Sequence, residues 1–128
     1  MAKGLILVDT NILIESYRGD KIAKEHLEAI RGRIAVSVIT VMELYRGCKT
    51  KERKTELAKQ IKAYYVVNID NAVSERAMQI FKHYISSSQD VYIADCLIAA
   101  TAMENKMKLF TKNKQDFNFI KDLVFYHP

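Results

Sequence analysis

The sequence predicts an α/β fold, a single domain over residues 1–128 with a central parallel sheet of about five strands and helices on both faces. Three observations predict it. Leu5-Ile6-Leu7-Val8 is apolar without polar alternation, as a strand covered on both faces requires. Further short apolar runs alternate along the chain with segments of helical spacing, the pattern of strand–helix–strand crossovers. At 128 residues and 49% hydrophobic content, the chain suits one core and can bury about two-thirds of its unfolded surface without disulfides or metal.

The elements follow in order. The first strand stops at Asp9, and Asp9-Thr10-Asn11 supplies cap-type residues for a short helix toward Tyr17. Arg18-Gly19-Asp20 ends that helix, and Asp20 caps another with Ile22, Ala23, Leu27 and Ile30 inward. Ile34-Ala35-Val36-Ser37 is the second strand. Thr40 is then the expected cap of a helix through Val41, Glu43 and Tyr45, with Gly47 near its end. A basic helix follows, with Leu57, Ala58, Ile61 and Tyr64 on one side, and Tyr65-Val66-Val67 is a brief third strand. From Ala72 to Ile85, Val73, Ala77, Ile80, Phe81 and Tyr84 repeat at helical spacing. Ser86-Ser87-Ser88-Gln89-Asp90 is a loop whose Asp90 is the expected cap of Val91–Met103, a helix apolar nearly all round and therefore central. Lys108-Leu109-Phe110 and Leu123-Val124-Phe125 are the fourth and fifth strands. No repeat or low-complexity tract interrupts this order.

Composition excludes several classes. Four Gly and one Pro exclude collagen-like and linker-rich chains, and the apolar content excludes disorder. Cys48 and Cys96 form no motif with each other or with the three histidines, against a secreted disulfide scaffold or a zinc finger. No signal peptide is visible, and the longest apolar-leaning run, Ile34–Met42, is too short to span a bilayer, so a cytoplasmic protein without a membrane partner is expected. The formal charge is +5. Between Lys49 and Lys62, Lys49, Lys51, Arg53, Lys54, Lys59 and Lys62 face only Glu52 and Glu56. That face reads first as solvated surface and second as an attractor of phosphate backbones.

The chemistry concentrates at one rim. In open parallel sheets ligands gather at the carboxyl ends of the strands. Asp9 ends the first strand, Glu43 lies one turn into the helix after the second, and Asp116 follows the fourth. Taken singly, Asp9 is a cap, Glu43 a solvated residue and Asp116 a cap for the Phe117 segment. Asp95 is different. Its neighbours Val91, Tyr92, Ile93, Ala94, Cys96, Leu97, Ile98 and Ala99 are uncharged, and an ionised carboxylate out of water needs compensation. A buried pair with Arg46 or a lysine is one solution; a cation shared with the three rim acids is the other. Hard oxygen ligands without accompanying His or Cys select Mg²⁺ or Mn²⁺, ions suited to phosphodiester hydrolysis.

The chain resembles the PIN-domain ribonucleases, and within them the VapC-type toxins of prokaryotic toxin–antitoxin pairs. The resemblance rests on four blocks in order: Val8-Asp9-Thr10-Asn11-Ile12-Leu13, Val41-Met42-Glu43-Leu44-Tyr45-Arg46-Gly47, Ile93-Ala94-Asp95-Cys96-Leu97-Ile98-Ala99-Ala100-Thr101-Ala102 and Thr111-Lys112-Asn113-Lys114-Gln115-Asp116-Phe117. It implies a PIN-like sheet and a divalent-metal endoribonuclease, with Asp9, Glu43, Asp95 and Asp116 as the acidic ligands. Thr10, Asn11, Thr111 and Asn113 would orient carboxylates or water. It also implies a homodimer silenced by a small VapB-type antitoxin. Arg46, Lys112 and Lys114, near these blocks, are expected to hold RNA phosphates. Two other readings remain open at this stage: a haloacid-dehalogenase-like phosphatase with Asp9 as nucleophile, which wants a carboxylate where this chain has Asn11, and a non-catalytic RNA- or protein-binding module.

Overall fold

The computed structural model describes residues 4–128; residues 1–3 of the expected domain lie outside the described residues. The elements, in chain order, are β1 (Ile6–Val8), α1 (Thr10–Tyr17), α2 (Lys21–Ala29), β2 (Ile34–Ser37), α3 (Val38–Arg46), α4 (Lys51–Ile61), β3 (Tyr65–Val67), α5 (Asn71–Tyr84), α6 (Ile93–Glu104) and β4 (Lys108–Phe110), followed by a 3₁₀ turn at Lys114–Asp116. The sheet has four strands in the order β3-β2-β1-β4, all parallel.

The uninterrupted apolar strands have the expected cause. β1 and its neighbours divide their side chains between two cores. Leu7, Ala35 and Leu109 pack with Val73, Ala77 and Ile80 of α5 and with Cys96 and Ala99 of α6. Ile6, Val8, Ile34, Val36 and Phe110 pack on the other face against Leu13, Leu27, Leu44 and Leu57 from α1 to α4. Leu7, Val8, Ala35, Val36 and Leu109 are wholly buried. At about 1.5–3 kcal/mol for each buried Leu, Ile, Val or Phe side chain, strand positions on both faces contribute, so polar alternation has no place. β3, at the sheet edge, is the exception, with Tyr65 and Val66 exposed. Cys48 and Cys96 are free thiols. Among the described residues no helix is long and apolar enough to cross a membrane.

Four expectations need correction. Ala23 and Leu27 of α2 and Ile30 at its end are buried as expected, but Ile22 is 62% exposed, since it follows Lys21 at the outward side of the first turn. The fifth strand shrinks to a single bridge, Leu109 with Phe125, held by Leu109 N–H on the Val124 carbonyl at 2.9 Å and Tyr126 N–H on the Leu109 carbonyl at 2.8 Å. The chain reaches β4 through a left-handed residue, Asp122 at φ 71°, and runs alongside for one residue pair. Thr40 does not cap α3; Ser37 does, accepting from Ile39 N–H, and Thr40 lies inside the helix, 1% exposed. Asp90 does not cap α6; the cap position belongs to Tyr92, whose side chain makes no cap hydrogen bond. The start of α6 is also more open than its composition suggests, with Tyr92 and Ile93 exposed. The caps at Asp9 and Asp70, after strands, and at Asp20, between α1 and α2, hold their helix amides as Asp caps should.

The strand order places the site. The chain builds outward from β1 through β2 to β3, then returns to the far side of β1 as β4. The reversal falls between β1 and β4, where connections leave in opposite directions and open a crevice. Asp9 N–H donates to the Phe110 carbonyl at 2.8 Å, so the carboxyl ends of β1 and β4 meet at that crevice.

Candidate active site at the carboxyl edge of the sheet

Asp9 is the residue around which this edge is organised. It caps α1, accepting from Thr10 N–H at 2.8 Å through Oδ1. Its other oxygen, Oδ2, accepts the Thr111 hydroxyl at 2.8 Å and the Asn11 side-chain amide at 3.4 Å. The cap expected of Asp9 is therefore real, yet it uses one oxygen. Asp9 is 7% exposed and Thr111 4%. Thr111 also accepts Asn113 N–H at 3.1 Å, which fixes the start of the turn leading to Asp116.

Glu43 projects from α3 toward the same place. Thr10 Oγ1 lies 2.6 Å from Glu43 Oε1 and 3.0 Å from Thr40 Oγ1. A hydroxyl has one proton to give; the carboxylate takes the shorter bond, and Thr40 completes the chain behind Thr10. Thr40, misread from sequence as a cap, is thus part of the support of Glu43. Its spacing was the available signal, because residues three apart share a helix face.

The four acids feel one another's charge. Burial pushes the Asp95 carboxyl up to about 7, and the charges of Asp9, Asp116 and Glu43 add to that push. Burial also raises Asp9; the Thr111 hydroxyl and Thr10 amide oppose the rise, while Glu43 and Asp116 reinforce it. None of the four takes part in the ion pairs formed among the described residues, which join Arg31 to Glu28, Arg76 to Glu104 and Lys112 to Glu15. Among the described residues neither Arg46 nor a lysine forms an ion pair with Asp95, the pairing left open from sequence. Nor do the acids form a closed cage: among the described residues no three His, Cys, Asp or Glu side chains are grouped tightly enough to hold one ion as they stand. Like charges without a counter-charge resist closer approach. The donor set is all-oxygen, poor in positive charge and rigid on the Asp9 side, a chemistry that fits a hard divalent cation.

The sequence model of the PIN domain matches residues 6–122. The chain belongs to the PIN-domain family. It is similar to a protein named ribonuclease VapC10 from Mycobacterium tuberculosis, 32% identical over 121 residues that cover 93% of this chain and 90% of that one. A ribonuclease VapC1 from Methanocaldococcus jannaschii is 31% identical over 117 residues, 91% of this chain and 82% of the relative. Among solved structures, a toxin–antitoxin complex from Klebsiella pneumoniae superposes with a TM-score of 0.81 at 31% identity, covering 96% of this chain and 99% of that one. The expected α/β PIN fold is thereby established, with one strand fewer than expected.

In this PIN domain the basic residues singled out from sequence have different surroundings. Arg46, in the last turn of α3, is exposed and joins none of the ion pairs among the described residues. Lys114 Nζ lies 2.8 Å from His127 Nδ1 and 5.9 Å from the centre of the Phe125 ring. Lys112 ends on Glu15, Nζ to Oε2 at 2.6 Å. Glu15 drew no attention in the sequence, although it lies four residues beyond Asn11 on α1 and so shares its face.

Proposed function

We propose that this chain is a Mg²⁺- or Mn²⁺-dependent endoribonuclease, a single nuclease domain acting in the cytoplasm as the toxin of a VapBC-type pair. The observation that carries it is that Asp95 feels the charges of Asp9, Glu43 and Asp116 at this edge of the sheet, while none of the four joins an ion pair among the described residues. A protein that bound RNA without cutting it would gain nothing from that concentration of negative charge. The haloacid-dehalogenase-like alternative needs a second acid where Asn11 instead donates to Asp9.

Asp9, Glu43, Asp95 and Asp116 would hold the divalent ion. When bound, such an ion supplies positive charge against a phosphate and makes water a better nucleophile at neutral pH. The protein's own groups do the remaining work. Thr10, Asn11 and Thr111 orient Asp9 and Glu43, Asn113 anchors the turn before Asp116, and Asp95 and Asp116 orient water for in-line attack at phosphorus. Arg46 and Lys114 hold flanking phosphates, and Lys112 adds its charge nearby. The relatives' names and titles support the partner assignments: RNA as substrate and a small VapB-type antitoxin as inhibitor. A homodimer completes the assembly, with no membrane contact.

The test is cleavage of structured and unstructured RNAs with Mn²⁺, with Mg²⁺ and with chelator, wild type beside Asp95→Asn, alongside calorimetric titration of Mn²⁺. Metal-dependent cleavage by wild type and none by the variant is expected. Equal Mn²⁺ binding by both proteins would remove the basis of the reading.

A further inference from the structure

Asp116 must be kept near acids that repel it. It lies at the end of a short 3₁₀ turn whose cap, Asn113, makes no side-chain hydrogen bond to the turn. Its charge helps raise Asp9 and Asp95, so the reverse repulsion acts on the segment that carries it. Behind the turn, Phe117 is buried. In front, the segment is tied to one face of α1 at successive residues. Thr111 donates its hydroxyl to Asp9 at 2.8 Å, Lys112 N–H donates to Asn11 Oδ1 at 3.3 Å, and Lys112 Nζ meets Glu15 at 2.6 Å. Asp9 caps α1, and Asn11 and Glu15 lie one helical turn apart on it.

We propose that Glu15 is a positioning residue that holds the Thr111–Asp116 segment through Lys112, and that this pair, rather than an RNA phosphate, is the main business of the Lys112 ammonium. Two features argue for it. The Glu15 side chain is 28% exposed, so its charge is partly withdrawn from water and gains from a fixed partner more than a fully solvated acid does. The same lysine is gripped twice, by its backbone amide on Asn11 and by its ammonium on Glu15, which fixes the direction of the chain as well as its distance. The proposal rests on the nuclease reading for its effect on cleavage, but not for its effect on the segment itself.

The experiment is a double-mutant cycle of Glu15→Gln and Lys112→Gln, with Lys112→Arg as the conservative control. Amide hydrogen exchange of residues 111–116 in the full chain is followed without metal, and Mn²⁺ affinity and RNA cleavage are measured in parallel. Each single variant is expected to speed exchange of the segment about three- to fivefold, the scale of a good partly exposed ion pair, with no further gain in the double variant and near-wild-type protection in Lys112→Arg. Mn²⁺ affinity should fall by a similar factor, and kcat should fall with KM unchanged. Unchanged exchange in Glu15→Gln, or effects that multiply in the double variant, would overturn the proposal. So would a raised KM for Lys112→Gln with none for Glu15→Gln, the mark of a lysine on RNA. If wild type neither binds Mn²⁺ nor cleaves RNA, the nuclease reading fails, and the exchange data still decide the tie.

Discussion

Thr111 donates its hydroxyl proton to Asp9 Oδ2 at 2.8 Å across 102 residues of sequence. The bond joins the ends of β1 and β4, and it holds a buried carboxylate that burial and two neighbouring acids drive toward its neutral form. Thr111→Val removes this donor and the acceptor of Asn113 N–H while keeping the volume. Denaturant unfolding at pH 8 is expected to show a loss of about 1.5–3 kcal/mol, the range for a hydrogen bond to a charged group. Mn²⁺ titration should show weaker binding. Unchanged stability would mean that Asn11 and Thr10 alone hold Asp9.

Asp95 sets a pH dependence whose sign follows from its raised pKa. In the folded protein its carboxyl is lifted from an ordinary 3.8 to about 7, so the native state holds its proton over a range where the unfolded chain has released it. Its contribution to stability is therefore complete below pH 4 and is lost as pH rises from about 4 to 7. In chelator, Asp95→Asn should be more stable than wild type at pH 8 by about 1 kcal/mol, a figure reduced for the part of the shift that solvent screens. The gain should vanish near pH 4. Urea unfolding at pH 4, 6 and 8 checks it, and a less stable variant at pH 8 would contradict it.

Divalent metal should reverse that order. Ligand that binds only the native state stabilises it by mass action, about 2.7 kcal/mol at a hundredfold excess over Kd. Adding Mn²⁺ at pH 8 is expected to raise the Tm of wild type and to leave Asp95→Asn and Asp9→Asn nearly unmoved. Thermal melts with and without chelator decide the matter.

Thr10 links two helices through the Glu43 carboxylate and the Thr40 hydroxyl. Thr10→Val should cost about 1–3 kcal/mol, because it strips Glu43 of a short bond and leaves the buried Thr40 hydroxyl without this partner. Cleavage should fall as well. Thr40→Val, one bond further from the carboxylate, should lose stability with a smaller loss of rate. Parallel unfolding and cleavage assays separate the two effects.

Arg46 and Lys114 are expected to contact phosphates. Each replaced by Ala should weaken single-stranded RNA binding and lower the slope of log affinity against log salt by about 0.7. Fluorescence anisotropy with a catalytically silent Asp95→Asn background measures both. An unaltered slope would remove the residue from the interface.

Much of the fold was legible because it rests on local pattern. The unalternating runs at Leu5–Val8 and Ile34–Ser37 became strands buried on both faces, and Val73, Ala77 and Ile80 formed the inner stripe of α5 as their spacing required. The errors arose where local signals compete. Ser37 and Thr40 are both good caps, and the choice between them depends on where β2 stops. Leu123–Phe125 has the composition of a strand, but the approach through Asp122 left room for one pair.

Residue type and periodicity alone dictated the layered α/β architecture, the rim on which Asp9, Glu43 and Asp116 had to lie, and the anomaly of an acid at position 95. These follow from hydrophobic burial and backbone stereochemistry, which act over a few residues and repeat along the chain. Folding in three dimensions decided that Asp95 feels the charge of the other acids and, among the described residues, pairs with no base, that Thr40 supports Glu43 through Thr10, and that Lys112 closes on Glu15. Those outcomes depend on distances between side chains far apart in the chain. Coulomb and hydrogen-bond energies depend steeply on such distances, and no local pattern encodes them.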